Sequence, residues 1–270
     1  MHPIERLRYV ARSHGGDQRL LVRETAIALC GLGLDPAGLV VACRRIVQRH
    51  PTSGPLWWLC SSMLAAANPL AAASRLVDVI EDDSTPAALI DALPVDATVT
   101  LVGWPDLAGE AVLRRGDVRV LSIDVGGMGE MFARRLQRAD IDVHVIDPEG
   151  LAAAVISSDV VLIEALAATP AEALVAQGSR AVAAVGYCAE IPVWLVAGRG
   201  RCLPDALFAA MVERASAGGL PWELETESLP TAMLSAIVRG GEGPFDVSEV
   251  DTVLAPECPS APELLRASAM

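Results

Sequence analysis

The chain contains no lysine: all 21 of its basic residues are arginine. This excludes a phosphate-loop lysine, a Schiff-base lysine and a lysine general base. Cysteine and histidine are present but never gathered. Cys30, Cys43, Cys60, Cys188, Cys202 and Cys258 show no Cys-x-x-Cys spacing, and His2, His14, His50 and His144 are equally scattered. Neither a zinc site nor a disulfide framework is expected, and the thiols read as reduced and mostly buried. No metal and no cofactor are therefore expected. No apolar run reaches the roughly 18 residues a membrane span needs. The opening MHPIERLRYV carries charge where a secretory leader is apolar. These absences predict a cytoplasmic protein without a membrane partner.

Acid is in surplus, and unevenly so. The net charge is 21 − 34 = −13; residues 1–95 hold nine arginines against nine acids, and residues 96–270 hold twelve against twenty-five. An acidic second half repels phosphate backbones, so no direct nucleic-acid partner is expected. Trp57, Trp58, Trp104, Trp194 and Trp222 accordingly read as core or interface residues rather than a base-stacking platform.

Periodicity divides the chain near residue 95. From Ile4 to about Ile80 apolar residues recur at helical spacing, broken at GLGLDPAG and RHPTSGP. An N-terminal helical domain over 1–95 follows, its last short helix opening after EDDSTP with Ser84 or Thr85 as N-cap. After Asp96 short apolar runs, TVTLVGW, VRVLSIDV, DVHVID, DVVLIEA and IPVWLVAG, alternate with segments long enough for crossover helices. That alternation predicts an α/β domain over 96–270, a Rossmann-like, doubly wound parallel sheet. Ligands in such sheets bind outside the carboxyl ends of the strands, at the loops that begin with Gly103, Asp124, Asp147, Glu164 and Gly198.

One of these loops, IDVGGMGEMF at 123–132, is close to a dinucleotide fingerprint. Glycines stand at 126 and 129, but Asp124 replaces the first glycine and puts a carboxylate where a pyrophosphate would rest. The loop reads first as a turn for close helix-to-strand packing, with NAD(P)-dependent oxidoreduction as an alternative function.

The segment DVVLIEALAATPAEALVAQGSRAVAAVGYCAEIPVWLVAGR at 159–199 resembles one found in the alpha, beta and delta regulatory subunits of translation initiation factor 2B. It is equally similar to their enzyme relatives, methylthioribose-1-phosphate isomerase and ribose-1,5-bisphosphate isomerase. Asp159 to Leu166 stand for the family's strand and Gly-Ala-Asp motif, Gln177-Gly178-Ser179 for its helix-opening motif, and Ile191-Pro192-Val193 for its next strand. RHPTSGPLWWL at 49–59 and the tail from Pro244 resemble the family's interhelical turn and closing segment. The resemblance implies a helical domain followed by a Rossmann-like domain, a homodimer, and a sugar-phosphate or nucleotide ligand in the crevice.

It also implies a cysteine and an aspartate as the isomerases' acid/base pair. Here the first loop reads Gly103-Trp104-Pro105-Asp106, and leucine stands at 166 in place of the aspartate. The expected function is therefore non-catalytic binding of a phosphorylated small molecule. An aldose-ketose isomerase with rearranged acids, drawn from Asp106, Glu164 and Asp124, is the alternative. Those three acids could equally cap helices or hold a cation. Expected ligand contacts are Gly178, Ser179 and Arg180 at a helix N-terminus, Arg199 and Arg201 after the fifth strand, and Gly126 and Gly127.

Overall fold

The computed structural model describes residues 17–33, 35–241 and 243–265. Its first part is four helices: α1 (Gln18–Gly31), α2 (Pro36–Arg49), α3 (Gly54–Ala65) and α4 (Pro69–Glu81). Each begins where the sequence supplies a start signal. Asp17 accepts the N–H groups of Arg19 and Leu20, Asp35 that of Gly38, and Asn68 that of Ala71. Pro36, Pro55 and Pro69 occupy first turns, where no N–H is needed. Helix α3 is apolar around nearly its whole circumference, and Trp57, Leu59, Cys60 and Met63 are fully buried. It is the central rod that the other helices surround.

A fifth helix, α5 (Thr85–Ala92), leads to the sheet. Its cap differs from the expectation of Ser84 or Thr85. Ser84 is at the N-cap position but lies near φ −84°, ψ 6°, away from the extended geometry a capping side chain uses, and makes no cap bond. The neighbouring Asp83 carboxylate accepts the Thr85 N–H and hydroxyl instead.

The main sheet runs β3-β2-β1-β4-β6-β8-β9. Strands β1 (Thr98–Val102), β2 (Arg119–Ile123), β3 (Val143–Ile146), β4 (Val160–Ala168), β6 (Val193–Val196) and β8 (Ala236–Val238) are parallel, and β9 (Pro244–Asp246) closes one edge antiparallel. Alternate residues feed two cores, as a sheet covered on both faces requires. Val99, Leu101, Val120, Val160 and Leu162 pack under α5, α6 (Leu107–Arg115) and α7 (Met128–Gln137). Val102, Ile123, Val161, Ile163 and Leu195 pack under α8 (Leu151–Ile156) and α9 (Ser179–Cys188). All five expected strands are present, and the fold class is the one the periodicity predicts.

The stretch after Glu164 is not the loop its composition suggests. β4 continues to Ala168 past a bulge, turns, and pairs antiparallel with β5 (Glu172–Ala176), which pairs in turn with β7 (Thr226–Pro230). Alanine, leucine and glutamate favour helix locally, and here burial of Ala167, Ala173 and Leu174 between neighbours overrides that preference. Ala167 and Leu174 share one core with α1–α4, with α10 (Asp205–Ala215) and with Leu264 of α12 (Pro262–Leu265); α11 (Val250–Val253) lies on the opposite side of the sheet.

The tightest contact between the helices and the sheet is at Gly54. A Cβ there would lie 2.2 Å from the Leu166 carbonyl oxygen and 3.2 Å from the Ala167 side chain. Gly54→Ala is expected to cost roughly 1–3 kcal/mol or more, since backbone stands on both sides of the clash. A lowered urea midpoint would register this; an unchanged midpoint would mean that α3 is not seated on β4.

Candidate functional site

The crevice at the strand carboxyl ends is built by the β1–α6 loop, the middle of β4 and the turn from β5 into α9. Trp104, Pro105, Leu166 and Ala176 form its apolar walls, Glu164 and Ser179 are its polar groups, and the cavity between them is about 40 Å³. Helix α7 backs the wall: Trp104 meets Phe132 edge-on at 6.1 Å, and the Arg135 guanidinium lies 5.9 Å from the Trp104 ring centre.

Glu164 sits on the even-numbered face of β4 and points under the start of α6. Its Oε2 accepts the N–H groups of Leu107 (2.8 Å) and Ala108 (3.0 Å), and its Oε1 lies 2.8 Å from Arg201 Nη1. Both side chains are buried, at 8% and 3% exposure. Arg201 also donates to the Ala165 carbonyl. The carboxylate thus takes the place of a bound anion at a helix N-terminus, and the arginine neutralises it.

Asp106 stands beside this pair at the head of α6. Its Oδ2 accepts the Gln18 N–H at 3.3 Å, which ties the mouth of the crevice to α1. Burial, and then the neighbouring Glu164 charge, push its pKa from 3.8 up to about 6; Arg201 and the Gln18 N–H oppose them.

Of the expected contacts, the structure brings Asp106, Glu164, Gly178, Ser179 and Arg201 to one place. Gly178, at φ +90°, turns β5 into α9 and puts the Ser179 side chain in the crevice at 1% exposure. Ser179 makes no hydrogen bond through its hydroxyl among the described residues. Arg201 is placed differently from the expectation: its guanidinium is spent on Glu164 and Ala165 rather than open to a ligand. The remaining side chains face elsewhere. Arg180 is exposed, and its N–H donates to Glu227 Oε1 at 2.9 Å. Arg199 gives its N–H to Asp83 and lies 3.7 Å from Glu257. Asp124 accepts the Glu130 N–H at 3.0 Å and caps α7.

Gly126 and Gly127 belong to that α7 turn, with φ +61° and +80°. Gly129 serves close approach, because a Cβ there would lie 2.5 Å from the Ile123 carbonyl oxygen. The glycine run is a packing device. No three His, Cys, Asp or Glu side chains among the described residues are grouped to hold a metal ion. Sequence reasoning missed Asp83, Glu227 and Glu257. Each accepts an N–H from far along the chain, Arg180, Arg199 or Gly200, and no local pattern marks that contact.

The crystal structure of translation initiation factor eIF-2B from Pyrococcus horikoshii OT3 superposes with a TM-score of 0.70 at 14% identity, over 88% of this chain and 94% of that one. The chain has the eIF2B fold. Subunits from Chaetomium thermophilum agree: the tetrameric eIF2B-beta2-delta2 complex gives 0.67 at 16% identity over 94% and 93% of the two chains, and eIF2B delta gives 0.66 at 14% over 89% and 97%. The order of a helical part followed by the eIF2B sheet is what the 159–199 resemblance implied. No family model matches the sequence. A homoserine kinase of Mycolicibacterium paratuberculosis (strain ATCC BAA-968 / K-10) is 33% identical over 130 residues, which are 48% of this chain and 38% of that protein. The match thus spans less than half the relative's length. No helix among the described residues is long and apolar enough to cross a membrane.

The raised Asp106 pKa fixes a pH signature. Between 3.8 and about 6 the folded carboxyl holds a proton that the unfolded chain has released, so stability falls as pH rises through this window and is level above it. The loss is on the order of 2 kcal/mol once solvent screening is allowed for. Asp106→Asn is expected to abolish the slope and raise the melting temperature at pH 8, measured by scanning calorimetry from pH 4 to 8.

Proposed function

We propose that this is a non-catalytic, cytoplasmic protein of the eIF2B fold that binds a phosphorylated small molecule, a sugar phosphate or a nucleotide, in the crevice between β1, β4 and α9. One observation carries the reading. The Ser179 side chain is buried at the first turn of a ten-residue helix, its hydroxyl makes no hydrogen bond among the described residues, and it lines the crevice. An anionic oxygen at a helix N-terminus supplies the missing partner and the matching charge. A monosaccharide phosphate or mononucleotide is favoured over a dinucleotide, whose pyrophosphate seat at α7 is filled by Asp124.

The polar groups at hand support the non-catalytic reading. Moving a proton between two sugar carbons needs a group that takes it and a group that returns it. Glu164 is held by two N–H groups and an arginine, Leu166 supplies no proton, and no cysteine lines the crevice. Asp106 alone is poised near neutrality, and this favours the second reading, an aldose-ketose isomerase with rearranged acids. A homodimer is part of the proposal. Ile156 on α8 and Tyr187 on α9, at 61% and 65% exposure, leave apolar surface that a second copy would cover.

Two measurements test these readings. In thermal shift against sugar phosphates, mononucleotides and NAD, a true ligand at 100 times its Kd should add about 2.7 kcal/mol. Ser179→Ala should weaken its binding several-fold without lowering the melting temperature of the free protein. No shift with any phosphorylated compound refutes the binding reading; turnover of an aldose phosphate that is lost in Asp106→Asn replaces it with the isomerase. Light scattering should give twice the monomer mass, and a monomer at micromolar concentration excludes the homodimer.

A further inference from the structure

Three helices begin at or beside the crevice, and each N-terminus is held by a carboxylate of the chain itself. The three grips differ. Glu164 holds α6 through two N–H groups, is buried, and is neutralised by Arg201. Asp124 holds α7 from within the same turn, six residues ahead of its donor. Glu227 reaches α9 from another strand, through a single bond of 2.9 Å to the Arg180 N–H in an exposed setting. No arginine pairs with Glu227 among the described residues.

The topology explains how Glu227 arrives there. On β7 it lies opposite Val175 of β5, and β5 runs through Gln177 and Gly178 directly into α9. The Gln177 N–H is bonded to the Glu225 carbonyl, so the β7 backbone stays fixed beside the turn whatever the Glu227 side chain does. Next to the bonded Arg180 N–H is Ser179, a buried residue of the crevice lining whose hydroxyl makes no hydrogen bond among the described residues. The Gln177 side-chain oxygen in the same turn is also buried without a partner. The start of α9 therefore has one hydroxyl donor, on Ser179, beyond the N–H that Glu227 satisfies.

From this we infer that Glu227 is an intramolecular competitor for the anion seat at α9: its carboxylate occupies the Arg180 N–H in the free protein and must swing out for a phosphate monoester to bind across Ser179 and Arg180. The inference rests on the phosphate-binding reading above and adds the group that sets the affinity. A carboxylate and a phosphate sharing one helix N-terminus repel each other, and a side chain held by one exposed bond is the partner able to leave. Glu164, buried on its arginine, is not. The seat should prefer ligands whose charge is dense enough to displace a carboxylate, which favours phosphate monoesters over carboxylates or neutral sugars.

The test is calorimetric titration of inorganic phosphate, ribose 5-phosphate and adenosine monophosphate into wild type, Glu227→Gln, Glu227→Ala and Ser179→Ala. Glutamine keeps the shape and an acceptor oxygen, so folding is preserved while the charge is removed. Both Glu227 variants are expected to bind inorganic phosphate at least tenfold more tightly than wild type, about 1.4 kcal/mol. The gain should shrink between 50 mM and 500 mM salt, because the competing charge is exposed. Ribose without phosphate should show no gain. Equal or weaker binding by both Glu227 variants, with Ser179→Ala still impaired, overturns the competitor and leaves the binding site standing. Binding that Ser179→Ala does not weaken, or no binding by any variant, overturns both. Between the two esters, the tighter one identifies which source of phosphate the crevice takes.

Discussion

A carboxylate buried at the carboxyl end of a central strand must find its full complement of donors, and Glu164 shows how much structure that demand organises. It requires the N-terminus of α6 above it, which fixes where the β1–α6 loop places Trp104, Pro105 and Asp106. It also requires Arg201 beside it, which draws the loop after β6 across the end of β4. Removing one partner of such a pair strands the other in a poor solvent for charge, so the two residues constrain each other more than either contributes alone. Asp106 inherits its raised pKa from the same arrangement, and through the Gln18 N–H it passes the constraint on to the helical layer.

The same arrangement bears on function. Glu164, Asp124 and Glu227 supply negative charge at three helix starts, where ligands supply it in many sheets of this type. A fold whose relatives in shape include initiation factor subunits from an archaeon and a fungus has, in this chain, internalised much of the charge complementarity of its crevice. What lines the crevice is apolar wall, the Glu164 carboxylate on its two N–H groups and the Ser179 hydroxyl.

How much of this could be read from residues depended on the range of the interaction involved. β1, β2, β4 and β6 were legible because Val, Leu and Ile runs buried on both faces leave an unbroken apolar signature, and the edge strand β3 as a short apolar run between helical segments. The crossover helices were legible from the length of the segments between strands. The hairpin of β4 and β5 was not, because ALAATPAEALVA is written in residues that prefer helix and is held extended by neighbours remote in sequence. β8 and β9, three residues each, fall below the length at which alternation can be counted. Asp106 and Glu164 were picked out because they sit at strand ends, Ser179 because it opens a helix, and Arg201 because it follows a strand, though as a ligand contact and not as the partner of Glu164. Glu227 and Asp83 carry their meaning only in three dimensions: each is an ordinary acid until a distant N–H arrives beside it.

The core of the helical layer ends in a different place from the helices themselves. Cys258, Ala261 and Leu264 pack into the same cluster as Leu29, Trp57 and Met63, so residues some two hundred positions apart complete one apolar body. On a chain emerging from the ribosome in order, the tryptophan-bearing face of α3 is therefore not fully covered until Cys258 to Leu264 have been made. Part of that apolar surface stays open to water while the intervening residues are added, a burden that falls on whatever chaperones attend nascent chains.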